Sequence, residues 1–381
     1  MSKHRKKYRL RFLPLTPIHI GTGDEIDPLE YKIITKENGG RRMIRLNLPA
    51  MIETLTALKR EEFLRLLDGG DMVKLRKFID ENADSSQHGF YHAVVDEPVF
   101  EMYRRKYSDP NNALRINPAY RRLDTWQAVI PGSSIKGAIR TAILSKELRD
   151  TYEQEDRLPN TNRWNWENEV LYATKPNDDP FRTVYLEDVT LSDDAIIVAE
   201  TEIISRNPDK AASETSGIQQ FYEMTFAHLM QEEVVGTGSL TLFSGLRREF
   251  DSRNHQNKML EIDAMKIVAC CKEFYCKRME LEHATFYRKR KNQTICTISE
   301  QLLNVSYGDF EFPIRLGHFS HCEAMTVDLI QKSGQPLRNP RTRKGRDGRF
   351  LPYGTTRTLA FGEFPMGWAK ISLEEMGDAL R

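Results

Sequence analysis

The chain has 381 residues, 39% of them hydrophobic and 29% charged, with 56 Lys and Arg against 55 Asp and Glu for a net charge of +1. That length gives ample core for one large elaborated domain or two ordinary ones. No apolar run approaches the roughly 20 residues needed to span a bilayer, and no apolar segment follows the N-terminal charges as a secretory signal requires, so a cytoplasmic protein with no membrane partner is the expectation.

Net charge alone says nothing about nucleic acid, but the charges are segregated. Lys3, Arg5, Lys6, Lys7, Arg9 and Arg11 stand with no acid among them, Arg288-Lys289-Arg290-Lys291 forms a second cluster, and Arg338–Arg357 a third opposed only by Asp347. The five cysteines (Cys270, Cys271, Cys276, Cys296, Cys322) are odd in number with no CxxC pair, which argues against a disulfide framework. His318, His321 and Cys322 cluster without the tight ligand pairs of a zinc site, so no metal is expected.

In chain order, Tyr8–Ile20 alternates Leu10, Phe12 and Leu15 with Arg9 and Arg11, as a strand with a basic outer face does. Gly21-Thr22-Gly23 follows His19 as a flexible exit where backbone can approach a ligand. Asp27-Pro28 favours a turn. Tyr31–Ile34 and Met43–Leu46 flank Asn38-Gly39-Gly40 as a hairpin. Pro49 opens a helix with Met51, Leu55, Leu58 and Leu66 on its stripe, ended by Gly69-Gly70, and Asp71 caps a second carrying Val73, Leu75, Phe78 and Ile79. From Tyr91 to Trp126, strand-like pieces interleave aromatic and basic residues, including Tyr103-Arg104-Arg105-Lys106-Tyr107, a mixture suited to RNA, with half-buried strands whose cations snorkel to the surface as the plain alternative.

Val129–Leu144 carries the densest signal. Two β-branched residues run into Pro131-Gly132, Ser133 and Ser134 are good N-caps, and Ile135, Ala138, Ile139, Ala142 and Ile143 form one apolar stripe. Lys136 and Arg140 share another face near the helix start. Strand, tight turn and helix would gather free amides, the positive dipole end and two cations, a combination that binds phosphate. It is not a Walker loop, because Lys136 precedes Gly137 and Ala138 follows it. An ordinary capped helix with solvated cations is the plain alternative.

Beyond a polar stretch at Lys146–Asn177, Thr183–Val189 and Ile196–Ile204 read as one strand pair, and Ile218–Ala227 with Ser239–Phe243 as another, with a helix the alternative for Ile218–Ala227. Lys258–Phe286 is the best long helix. Ile314–Gly317 leads to a short helix, and the chain closes through the basic loop, a glycine-rich loop and a strand at Trp368–Ile371. Strands and helices alternate irregularly, which gives an α+β fold.

Pro131-Gly132-Ser133-Ser134-Ile135-Lys136-Gly137 with Arg140 resembles the signature of the RAMP superfamily, the RNA-binding subunits of type III CRISPR effector complexes. Leu15–Gly23 resembles that family's first strand and glycine-rich exit, and Leu359–Trp368 its C-terminal glycine-rich loop. The combination is most similar to the Csm-type (type III-A) subunit that caps the 3′ end of the guide RNA. The resemblance implies a ferredoxin-like (RRM-like) core, one elaborated domain over residues 1–381 with insertions at about 50–125 and 250–310. It implies a non-catalytic subunit without cofactor that contributes to crRNA maturation and antiviral defence. Its partners would be crRNA, target RNA and other effector subunits, especially the repeating backbone subunit. RNA would meet Ser133, Ser134, Lys136 and Arg140, backbone at Gly21, Gly23, Gly132 and Gly362, and the cations Arg341, Arg343, Lys344, Arg346 and Arg357. In the family's target-cleaving subunits an aspartate near the position of Asp27 serves in RNA cleavage. The competing reading is therefore an endoribonuclease using Asp27, or His19 as acid or base.

Overall fold

The computed structural model describes residues 5–109, 114–152, 166–171, 173, 176–206, 220–243, 260–327 and 354–377. Arg341, Arg343, Lys344 and Arg346 therefore lie outside the described residues, as does most of the third basic stretch.

Strand β1 (Arg5–Pro14) buries Tyr8, Leu10 and Phe12 and exposes Arg9 and Arg11, as its alternation requires. A 3-10 turn at Pro28–Glu30 precedes the hairpin of β2 (Tyr31–Thr35) and β3 (Arg41–Leu46). The helix expected from Pro49 is two helices, α1 (Leu48–Thr54) and α2 (Ala57–Asp68), because Leu55 turns extended and the Thr56 hydroxyl caps the second. Leu58 is consequently 78% exposed rather than on the buried stripe. Helix α3 (Met72–Asn82), capped by Asp71 through the Lys74 amide at 3.1 Å, buries Leu75, Phe78 and Ile79. These helices pack on one face of β3 in a satellite core around Ile44, Leu46 and Phe63.

After β4 (Gly89–Val95), Asp96 caps α4 (Glu97–Lys106). Tyr103–Lys106 is thus helical, not extended. Tyr103 is buried, and Arg104 pairs with Glu101 on its own helix at 3.3 Å. The short strands β5 (Ile116–Asn117) and β6 (Val129–Ile130) lead to α5 (Gly132–Tyr152), and α6 (Trp166–Val170) follows. Then come β7 (Val184–Leu186), β8 (Val189–Thr190), β9 (Ile196–Ser205), β10 (Phe221–Thr225) and β11 (Gly236–Phe243). Helix α7 (Ala264–Glu282) runs into a π-helical turn at His283–Tyr287, followed by α8 (Gln293–Leu303) and β12 (Glu311–Arg315). The chain ends with α9 (His321–Met325), β13 (Thr356–Ala360), β14 (Phe364–Pro365) and β15 (Trp368–Glu375).

Two sheets result. The first runs β12-β15-β1-β11-β8-β6, with β7 also on β11, and β1 is antiparallel to both neighbours. Helices α5 and α7 pack together, and α7 lies against β12. The second sheet runs β14-β13-β9-β4-β3-β2, with β10 on β9 and β5 on β10. Both expected strand pairs in the middle of the chain differ from the structure. β7 pairs with β11, and β9 pairs with β10, β13 and β4, so β10 and β11 belong to different sheets. The fold is α+β, with one continuous core spanning Leu10, Ile135, Ile139, Ile143, Ile267, Phe274, Ile314 and Trp368.

Candidate nucleic-acid interface

Three distant stretches are knitted together by backbone. The amides of Leu15 and Thr16 donate to the Trp368 carbonyl at 2.9 and 3.1 Å, and the Trp368 amide returns a bond to Thr16 Oγ1 at 3.0 Å. Gly367 donates to the Pro17 carbonyl (2.8 Å), Leu316 to that of Gly367 (2.8 Å) and His318 to that of His19 (2.9 Å). Two positions here need glycine. Gly317 (φ +93°) would place a Cβ 2.3 Å from the His19 carbonyl oxygen, and Gly367 (φ +96°) one 2.7 Å from that of Leu316.

The start of α5 lies against this knot. Its N-terminal amide is already satisfied: Gly132 donates to Asp188 Oδ1 at 2.8 Å, and a Cβ there would sit 2.5 Å from the Leu186 carbonyl. Gly132 is therefore a packing glycine, and the carboxylate that caps the helix comes from the β7–β8 connection. Ser133 and Ser134 lie inside the first turn rather than before it. Ser134, Gly137, Ala138 and Thr141 form one wall of a cavity of about 200 Å³. Arg315, Leu316, Gly317, Ser320, Ala324 and Met325 form the other. Gly137 is exposed and an added Cβ would meet nothing within 4 Å, so no internal contact demands glycine there.

Lys136 and Arg140 do not face this groove. Lys136 Nζ donates to the Val184 carbonyl at 2.8 Å, and Arg140 Nη1 to both Asp179 oxygens at 2.8 and 2.9 Å, its guanidinium 5.0 Å from the Phe181 ring centre. Burial pushes the Lys136 ammonium below its ordinary pKa, with Asp179 opposing and Arg140 reinforcing the shift. The expected meeting of amides, serines and cations in one place is split. Ser134 and Gly137 line the groove and Ser133 does not, while the cations fasten the opposite flank of α5 to the segment 179–184.

His19 is 5% exposed, and its Nδ1 lies 2.7 Å from the Glu223 carbonyl oxygen, which can only accept. Nδ1 therefore carries the proton. Burial lowers the pKa to about 4, the bond to Glu223 opposing and His318 reinforcing, so the ring is neutral at pH 7. Gly21 leaves room for that ring, since a Cβ would lie 2.7 Å from Nε2. Gly23 (φ +92°) is exposed in open space, and Gly362 (φ +68°) stands over Glu202. Asp27 is occupied as a cap. Its Oδ1 accepts the Leu29 amide at 2.9 Å, and its own amide donates to Glu30 Oε2 at 3.0 Å in a reciprocal capping box.

Arg357, expected from the sequence to face RNA, is instead buried in the core. It is 2% exposed and pairs with Glu282 at 3.2 Å and Glu323 at 3.0 Å, while Arg315 grips the other side of Glu282. Burial alone would raise the Glu282 pKa, yet Arg315 and Arg357 hold it down at about 2. An arginine in a basic run is here a core ion. The signal that would have placed it, two acids remote in sequence, cannot be read locally. Arg290 is likewise turned inward, donating to the Phe286 and Ser205 carbonyls. Among the described residues no three His, Cys, Asp or Glu side chains gather to hold a metal ion.

A family model described as the RAMP superfamily matches residues 11–262. The chain is 28% identical over 198 residues to the CRISPR-system protein Csm5 of Streptococcus thermophilus, which covers 49% of this chain and 53% of that protein. It thus spans about half the length of this curated relative. In fold it is similar to a chain in a cryo-EM structure of a type III-A Csm–crRNA–target RNA ternary complex, with a TM-score of 0.64 and 22% identity, covering 96% of this chain and 100% of that one. It is also similar to the crystal structure of T. onnurineus Csm5, with a TM-score of 0.59 and 18% identity, covering 94% and 99%.

Proposed function

The chain belongs to the RAMP superfamily, and on that footing we propose that it is a non-catalytic RNA-binding subunit of a type III-A (Csm-type) effector complex. It caps the 3′ end of the crRNA, contributes to crRNA maturation and antiviral defence, and works in the cytoplasm. It meets crRNA, target RNA and the other effector subunits, above all the repeating backbone subunit. The observation that carries this reading is the groove between α5 and the 315–325 segment, where stretches from the beginning, middle and end of the chain meet. Serine hydroxyls, a bare helical glycine and exposed loop glycines let a phosphodiester backbone approach closely without base-specific contacts.

In this reading Ser133, Ser134, Gly137, Gly21, Gly23 and Gly362 line the RNA path. Lys136 and Arg140 add positive field from the neighbouring flank, and Arg341, Arg343, Lys344 and Arg346 follow the strand. The order β15-β1-β11-β7, with α5 and α7 in the two crossovers, supports a ferredoxin-like core. The chain is then one elaborated domain whose insertions include α1–α3 and α8. The engagement of Asp27 as a cap and of His19 by a carbonyl favours binding over cleavage.

Titration of the purified chain with two unrelated single-stranded RNAs at several salt concentrations tests the reading. Equal affinities with a slope of about 0.7 per phosphate neutralised support it. A flat salt response, or RNA cleaved on incubation, contradicts it.

A further inference from the structure

His318 is the exposed member of an aromatic cluster. Its ring centre lies 4.8 Å from that of Phe319 and 6.3 Å from that of His19, and Phe319 in turn meets Tyr222 at 5.1 Å. His19 and Tyr222 are 5% and 8% exposed, so the cluster is anchored at its base and open at His318. Both ring contacts of His318 are perpendicular, at 88° and 75°, so neither neighbouring ring stacks on its face.

The backbone beneath it is fixed. The His318 amide is bonded to the His19 carbonyl, and the preceding Gly317 is pressed against the same oxygen. Beside the cluster, Phe361 holds a left-handed φ of +55°, where a bulky residue is strained, and its half-exposed ring meets Phe364 at 6.2 Å. Phe319, Phe361 and Phe364 all pack on one small core of Ile197, Tyr222 and Met366. Gly317 and Ser320, on either side of His318 and Phe319, are walls of the α5 groove.

We propose that His318, backed by Phe319 and Tyr222, is a stacking platform for an unpaired base of the RNA strand whose backbone occupies the α5 groove. The proposal rests on the RNA-binding reading and assigns that site its base contact. Aromatic faces accept any base, so the platform adds affinity without demanding a sequence. An RNA strand fits because the groove beside the ring offers the hydroxyl-bearing Ser134, Thr141 and Ser320 and the bare backbone of Gly137 and Gly317, next to the apolar Ala138, Leu316, Ala324 and Met325.

The test is a fluorescence-anisotropy titration of the full chain with a short oligouridylate and with an abasic ribose-phosphate strand of equal length. His318→Ala should weaken oligouridylate binding on the order of tenfold. It should leave the abasic strand, the salt slope and the melting temperature unchanged, and His318→Trp should restore affinity. Unchanged oligouridylate binding overturns the platform. So does an equal loss on both strands with a smaller salt slope, which would make His318 a phosphate contact. Loss of a co-purifying protein subunit with RNA affinity intact overturns it in favour of a protein interface. Wild-type protein that binds neither strand overturns the functional reading beneath it.

Discussion

Arg140 Nη1 donates to both carboxylate oxygens of Asp179, at 2.8 and 2.9 Å, and so ties the middle of α5 to the chain entering β7. With Lys136 bonded to the Val184 carbonyl, the motif's two cations act first as fasteners. Replacing both with alanine should lower stability by about 1 kcal/mol, the sum expected for one half-exposed ion pair and one neutral-acceptor hydrogen bond. RNA affinity should fall only modestly, because field and not contact is lost. Urea unfolding beside an RNA titration checks both.

The core ion network makes the opposite demand. Arg357→Ala leaves Glu323 in the interior without its ion partner and Glu282 with Arg315 alone, and removing one partner of a buried pair costs about 3–5 kcal/mol. The variant should express poorly or unfold at much lower urea. A fully stable Arg357→Ala with weakened RNA binding would restore the contact role expected from sequence.

Acid should destabilise the fold in two stages. His19 has a folded pKa of about 4 against an ordinary value near 6.5. The unfolded chain therefore takes up its proton first, and the stabilisation present above pH 6.5 drains away between 6.5 and 4. The size is up to about 3 kcal/mol. Glu282, held at about 2, contributes stability that is present above its ordinary carboxylate range and lost as pH falls towards 2. Urea midpoints at pH 7 and 5 check the first stage. His19→Asn should start less stable and show a flatter response.

Asp27→Ala should cost about 1 kcal/mol through the lost cap. RNA affinity should be unaltered, and so should target cleavage by the assembled complex. Loss of a target cut would instead give Asp27 a catalytic role.

Features set by neighbouring residues were legible in the sequence. The alternation of β1, the stripe of Ile135, Ile139 and Ile143, and the Asp71 cap all follow from spacing alone. Partner choice was not legible. β9 draws β4, β10 and β13 from widely separated parts of the chain, and no local pattern encodes that. Asp188 at the start of α5, Asp179 on Arg140 and Glu282 on Arg357 are acids that only the fold brings to those cations and amides. Motif reading therefore picked out segments that meet in the fold but misjudged which of their side chains remain free.

Gly137 offers the most direct test of the groove. A glycine in mid-helix costs about 0.8–1.0 kcal/mol relative to alanine, and here nothing within 4 Å requires it. Gly137→Leu should leave the fold as stable or up to about 1 kcal/mol more stable, because leucine is a strong helix former. The new side chain would fill the groove that RNA is held to occupy. Measured side by side, the unfolding midpoint should hold or rise while RNA affinity drops on the order of tenfold, the loss of about one good contact. Undiminished RNA affinity in a well-folded Gly137→Leu would contradict the placement of RNA in this groove.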